Sequence, residues 1–219
     1  GTWFKFKIDT TGIFKIDKAL LQRIGISTAN LDPRSLRIYG NGGKMLPQLN
    51  SDFRYDDLQE NAIYVEGEMD GSFDDQDYIL FYGQGPDHWN IDRSEYESSR
   101  HNKNIYSDYA FYFISTDQGL GKRITTANSM VQEADVDINT FQEFMFHELE
   151  TVNLFANGQQ WLGEDFSFEE SQTISFDFTD LNVREPVHIR ARAVAVSSSN
   201  TQMNFNVNGQ ELMGLNFSL

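Results

Sequence analysis

The sequence has no cysteine, only four prolines and few basic residues, 17 Lys and Arg against 33 Asp and Glu. Without a thiol there is no thiolate nucleophile, so cysteine-peptidase chemistry is excluded for these residues. The missing cysteines also leave no disulfide evidence on compartment, in either direction. No run of eighteen apolar residues occurs, so there is no candidate membrane-spanning helix and no direct membrane insertion is expected. The chain opens on Gly1 rather than Met, which a vector-derived residue would explain, and shows no signal peptide, which would fit a trimmed mature start. A net charge of −16 disfavours nucleic acid, whose binding draws on clustered Lys and Arg. It equally disfavours adhesion to anionic lipid.

What remains is a globular, aromatic-rich composition, with 18 Phe and 9 Tyr in 219 residues. That length suits one large or two modest domains and buries roughly 70–75% of the unfolded surface. Trp3, Phe4, Phe6 and Ile8, then Ile13, Phe14 and Ile16, form two short β-like runs around Asp9-Thr-Thr-Gly12. This reads as a hairpin with Gly12 at positive φ. Asp17 can cap a two-turn helix over KALLQRI, ended by Gly25, with Leu20, Leu21 and Ile24 on one face. Leu36 to Tyr39 is a further strand, Gly40 to Gly43 a tight turn and Lys44 to Pro47 its return.

The centre of the first half is 56–86, which reads strand, acidic turn, strand and glycine-proline exit. Asp70, Asp74, Asp75 and Asp77 in its turn are the metal candidates, because hard cations take clustered carboxylate oxygens. The EF-hand spacing fails, with Gly71 second and Phe81 where the bidentate Glu belongs, so a solvated turn without bound calcium is the expectation. Residues 87–103 read as a long polar surface loop and Tyr109 to Thr116 as an aromatic strand. Periodicity is lost over 126–135, which places a domain junction near 128. Beyond it, Ile174–Phe178, Val187–Ala195 and Met203–Val207 alternate apolar with polar residues. The expected class is mainly β, in two β-rich domains. Residues 1–128 carry one short helix, and 129–219 form an antiparallel β-sandwich whose remaining strands can lie beyond Leu219.

Catalytic patterns are sparse. His147-Glu148 opens like a zinc-protease helix, but Thr151 stands where the second histidine belongs. There is no G-x-S-x-G elbow, and GNGG (40–43) lacks the Lys-Ser/Thr of a phosphate loop. Glu148, Glu150, Glu164 and Asp165 flank GQQWLG (158–163), and two of them about 5–9 Å apart would suit glycoside hydrolysis. On so acidic a chain, solvated carboxylates are the simpler reading. No catalytic residue and no cofactor is assigned. Trp89 and Trp161 are the candidates for docking or sugar stacking, each against the alternative of a ring folded onto core.

Four segments carry a family resemblance: RIYGNGGKMLP (37–47), DDLQENAIYVEGEMDGSFDDQDYILFYGQGPDHW (56–89), NIYSDYAFYFISTDQGLGKRI (104–124) and FHELETVNLFANGQQWLGEDF (146–166). In this order they resemble the region preceding the catalytic domain in the PorU family. These are gingipain-type cysteine peptidases, the sortases of the type IX secretion system of Bacteroidetes. One departure stands at Gln159 or Gln160, where the family pattern has Arg, so no arginine role carries over. The resemblance implies a non-catalytic accessory region of an exported, cell-surface protein that cleaves C-terminal signals from cargo and attaches the cargo to the surface. Its nucleophilic Cys would lie beyond Leu219. The implied partners are the catalytic domain of the same chain and outer-membrane secretion components. The alternatives are a carbohydrate-binding β-sandwich module and the N-terminal region of a secreted gingipain-like peptidase.

Overall fold

The computed structural model describes residues 1–133, 135–154, 156, 158 and 160–218. The fold is mainly β, with antiparallel ladders and one short helix. Its strands are β1 (Phe4–Ile8), β2 (Gly12–Asp17), β3 (Arg37–Tyr39), β4 (Glu60–Asn61), β5 (Ile63–Glu66), β6 (Tyr78–Gly83), β7 (His88–Asn90), β8 (Arg100–Asn102), β9 (Ala110–Ser115), β10 (Thr201–Val207) and β11 (Gln210–Phe217). The helix is α1 (Lys18–Arg23). Contacts divide the chain into two compact units, Gly1–Phe176 and Asp177–Leu219. This division falls later than the loss of periodicity near 128, because residues 144–148 contact the β7–β8 hairpin.

In the first unit, one sheet has the order β1-β9-β3-β4 and a second the order β2-β6-β5. Alternation decides which side chains face inward. Phe4, Phe6 and Ile8 of β1 stand opposite Ile114, Tyr112 and Ala110 of β9. Phe14 and Ile16 of β2 stand opposite Phe81 and Ile79 of β6, which in turn face Ile63 and Val65 of β5. These residues form one core, closed by Leu21 of α1 and by Leu36 and Phe73. The sheets meet through three rings: Phe6 lies 5.5 Å from Phe81 and 5.9 Å from Tyr112, and Phe81 lies 5.3 Å from Tyr112.

The helix forms as its sequence dictates. Asp17 is the N-cap and accepts from the Leu20 amide at 2.9 Å, and Gly25 follows the last turn at φ +98. That conformation carries no steric penalty for glycine. The expected β1–β2 hairpin is corrected: the two strands belong to different sheets, and Gly12 does not take a positive φ. Each pairs instead with a strand that is apolar on both faces, FYFI of β9 or ILFY of β6. Such strands belong in sheet interiors. The expected return strand at 44–47 is also absent, and β3 pairs with β9 and β4. The glycines there serve close approach as well as turning, since a Cβ on Gly40 would run into the Tyr112 ring.

The central hairpin forms as expected from β5 and β6 around a 3₁₀ turn at Glu68–Asp70. The expected loop at 87–103 contains a short hairpin, β7–β8, around a second 3₁₀ turn at Tyr96–Ser98. Beyond 128 the expected strands are only partly found. Met203–Val207 lies in β10, which pairs with β11, but 174–178 and 187–195 carry no ladder among the described residues. Alternation makes a segment competent for pairing, but a strand also needs partner amides and carbonyls. Ile174, Phe176, Val187 and Ile189 are correspondingly exposed. In the second unit, the β10–β11 hairpin half-buries Met203, Phe205, Leu215 and Phe217.

The glycine contacts give a direct test. Gly40→Ala should destabilise the chain by about 1–3 kcal/mol, the usual cost of forcing extra volume against a packed ring. Gly12→Ala, with nothing within 4 Å of an added Cβ, should stay within about 0.5 kcal/mol of the parent. Denaturant unfolding of the two variants side by side checks both.

Candidate functional site

The β7–β8 hairpin is held at a corner tied from three directions. The buried Tyr112 hydroxyl accepts from the Gln84 amide at 2.7 Å and donates to its carbonyl at 3.1 Å, fixing the exit of β6. Asp87 accepts from the Asn104 amide at 2.9 Å, closing the base of the hairpin. The Asn104 side chain donates to the Gly43 carbonyl at 2.6 Å. An asparagine in this role fits, because one amide side chain both donates and accepts; its Oδ1 accepts from the Tyr106 amide at 2.9 Å.

On this hairpin sits an aromatic and histidine cluster. Trp89 packs against Phe144 at 5.1 Å, Phe146 at 6.3 Å and His101 at 5.3 Å. His101 is sandwiched further, stacked on Phe146 with centroids 3.4 Å apart and planes 15° from parallel. Its Nδ1 lies 3.1 Å from Glu148, and Lys103 donates to the Glu148 carbonyl. The next histidine, His147, bonds Glu164 through Nε2. The loop between them is closed by an isolated bridge, Val152 with Leu162. Aromatic contacts of this kind are each worth about 0.5–1.5 kcal/mol beyond their buried area, so the strap 144–164 is held by several small terms.

Charges in the cluster pull in opposite directions. Burial, with the neighbouring Glu148, pushes the Glu150 carboxyl up from its ordinary value. The hydrogen bond from His147 holds the Glu164 carboxyl down. Burial lowers His88, helped by Lys44 and His101, and its Nδ1 is buried with no hydrogen-bond partner among the described residues. The arrangement is that of a clamp: two histidine–carboxylate pairs flank a stack of rings. Among the described residues, neither histidine is bonded to a serine or threonine hydroxyl.

Trp89 is therefore engaged by its own chain. Trp161 is 37% exposed and stands beside the Val152–Leu162 bridge with no ring contact among the described residues. Phe155 and Gln159, close to Trp161 in sequence, lie outside the described residues. Three of the four aspartate carboxylates have partners of their own. Asp70 accepts from the Ser72 amide, Asp75 pairs with Lys18 at 2.7 Å, and the buried Asp77 accepts from the Asp74 amide at 2.7 Å. Among the described residues, no group of three or more His, Asp or Glu side chains comes together to hold a metal ion. No helix among them is long and apolar enough to cross a membrane. The clamp itself was missed in the sequence, although Phe144-Met-Phe146-His147-Glu148 is a dense enough signal to have suggested it.

The architecture is thus a two-sheet, mainly β unit with a clamped strap, joined in sequence to a β-hairpin unit. Compared with known proteins, this fold is similar to the crystal structure of dimeric latent PorU from Porphyromonas gingivalis. The TM-score is 0.67 at 22% identity, over 99% of this chain and 19% of that one. The chain therefore spans about a fifth of that protein's length, and the likeness is one of fold. No family model and no curated protein matches the sequence.

The opposed carboxyl shifts predict opposite pH behaviour. Glu150 has a raised folded value, so the folded chain binds more protons there and stability falls as pH rises from the unfolded value through the folded one. Glu150→Gln removes that loss and should raise the melting midpoint at pH 7, with the gap closing below pH 4. Glu164 has a lowered value, so its contribution is present above the unfolded value and lost as pH falls through the folded one. Glu164→Gln should lower the midpoint at pH 7. Each effect should be about 1 kcal/mol or less, given partial exposure, or roughly 2–4 °C in a chain this size. Melting curves of the two variants from pH 3 to 7 check both signs.

Proposed function

We propose that this chain is the non-catalytic N-terminal accessory region of a PorU-like sortase of the type IX secretion system, exported to the cell surface, where it supports or docks the peptidase domain that follows it. The observation that carries this reading is the fold match over nearly the whole chain to one fifth of a longer protein. Four ordered sequence segments point to the same family. The absence of cysteine is in keeping with a supporting role, since the family's chemistry needs a thiolate. In this reading the catalytic domain of the longer chain and outer-membrane secretion components are the partners. A sugar-stacking module is less well supported, because Trp89 is taken up by the clamp and Trp161 stands alone among the described residues.

Domains linked in one chain associate at high effective concentration, so their interface can be weak when tested apart. The chain should show no peptide cleavage by itself and should associate with the separately purified catalytic domain. Deleting 1–219 from the full-length protein should reduce cargo processing at the cell surface by roughly tenfold or more, the scale on which a misplaced site loses rate. Unchanged processing after the deletion, or cleavage by this chain alone, would remove the accessory reading.

A further inference from the structure

Away from the clamp, the two sheets of the first unit differ in the outer faces they turn to solvent. An antiparallel sheet with one face in the core ordinarily carries polar side chains on the other. The β2-β6-β5 sheet departs from this. Alternating with the inward Ile79 and Phe81, β6 turns Tyr78, Leu80 and Tyr82 outward, and their register neighbours on that face include Ile13 of β2 and Tyr64 of β5. Ile124 extends the row past Tyr64: its amide donates to the Ile63 carbonyl at 2.9 Å, and alternation puts it on the Tyr64 side. Ile13 is 75% exposed and Tyr82 54%, and Tyr64 and Ile124 are exposed as well. A contiguous apolar patch of this kind marks an interaction surface.

The charged residues of this face, Lys15, Asp17 and Glu66, stand on the edge strands β2 and β5, so its centre is uncharged. On the β1-β9-β3-β4 sheet the chain covers outward rings with its own cations: Lys5 Nζ lies 3.8 Å from the Phe111 centroid and Lys7 Nζ 3.4 Å from that of Tyr109. On the β2-β6-β5 sheet Lys15 stands over Tyr78 at 4.4 Å, but among the described residues no cation stands over Tyr64 or Tyr82. The Tyr64 hydroxyl donates to Glu66, so its polar end is satisfied while its ring stays open. An uncharged centre inside a charged rim is the build of a protein interface, and tyrosine is prominent among the residues that carry binding energy there.

We infer that the outer face of the β2-β6-β5 sheet docks the peptidase domain of the longer chain through an apolar, uncharged surface on that domain, a step that rests on the accessory reading above. The aliphatic Ile13, Leu80 and Ile124 among the rings suit packing against protein side chains better than stacking on sugar. The size of the patch favours a linked domain over a free partner. A stable complex of separate proteins takes about 20–30 residues a side, well above what this face offers. Interfaces between domains of one chain resemble transient contacts, and linkage supplies the effective concentration that a free partner lacks. The fold match spans 19% of the PorU chain, so in that protein most of the polypeptide lies outside this fold.

The test is hydroxyl-radical footprinting of the full-length protein beside residues 1–219. In 1–219 the side chains of Ile13, Tyr64 and Tyr82 should be oxidised freely. In the full-length protein their oxidation should fall severalfold, because an interface core excludes water. Tyr82→Lys should return Tyr64 of the full-length protein to its level in 1–219. The same substitution in 1–219 should leave the melting midpoint at the parent's value, since the position is exposed, and this excludes a folding defect. A benzophenone side chain in place of Tyr82 identifies the occupant, and its cross-links should fall in the peptidase domain of the same polypeptide. Unchanged oxidation in the full-length protein, protection of Tyr64 that survives Tyr82→Lys, or cross-links to a second copy or to another protein would each overturn the assignment. Cargo processing after deletion of 1–219 judges the accessory reading separately, so either can fail without the other.

Discussion

The contact of Phe6, Phe81 and Tyr112 between the two sheets is the constraint on which the first unit depends. Each ring comes from a different strand, β1, β6 and β9, and two of those strands belong to one sheet while the third belongs to the other. Two of the contacts are edge-to-face and one is stacked, and such packing fixes both spacing and orientation, because ring edges and faces attract only in particular arrangements. Tyr112 adds a polar handle that a phenylalanine would lack. Its hydroxyl holds both backbone groups of Gln84, so the same side chain that seals the core also sets where β6 ends.

From that point the site follows by short steps. The fixed exit of β6 delivers Asp87 to Asn104, and Asn104 reaches Gly43, so three separate turns share one anchor. The β7–β8 hairpin projects from this anchor and presents Trp89 and His101 to the strap.

Much of the local structure was legible in the residues. The Asp17 cap, the Gly25 stop and the β5–β6 hairpin each rest on chemistry within a few residues, and each forms as the sequence suggests. Strand partnership was not legible in the same way. Alternation in β1 and β2 showed which side chains face inward, but a tight turn between them suggested mutual pairing, whereas β6 and β9 were the better partners. Gly40 misled for a related reason: its use is close approach to a ring more than sixty positions away, which no local pattern records. Among the functional candidates, Trp89 could be singled out by type. Its partners Phe144 and Phe146 are distant in sequence and became visible only through the fold. Alternation at 174–178 and 187–195 promised strands that the described residues do not pair, because pairing depends on a neighbour that periodicity cannot supply.

The central claim is that the two sheets of the first unit form one cooperative body held by the three-ring contact. Native-state hydrogen exchange measures this directly, since amides in one cooperative unit open with a common free energy. β9 and β6 are interior strands of their sheets, so their amides should be the slowest in the chain. They should also share one opening free energy, and both should fall together in Phe81→Leu. Separate opening energies for β9 and β6, or a response confined to the β2-β6-β5 sheet, would show that each sheet stands alone and would contradict the account.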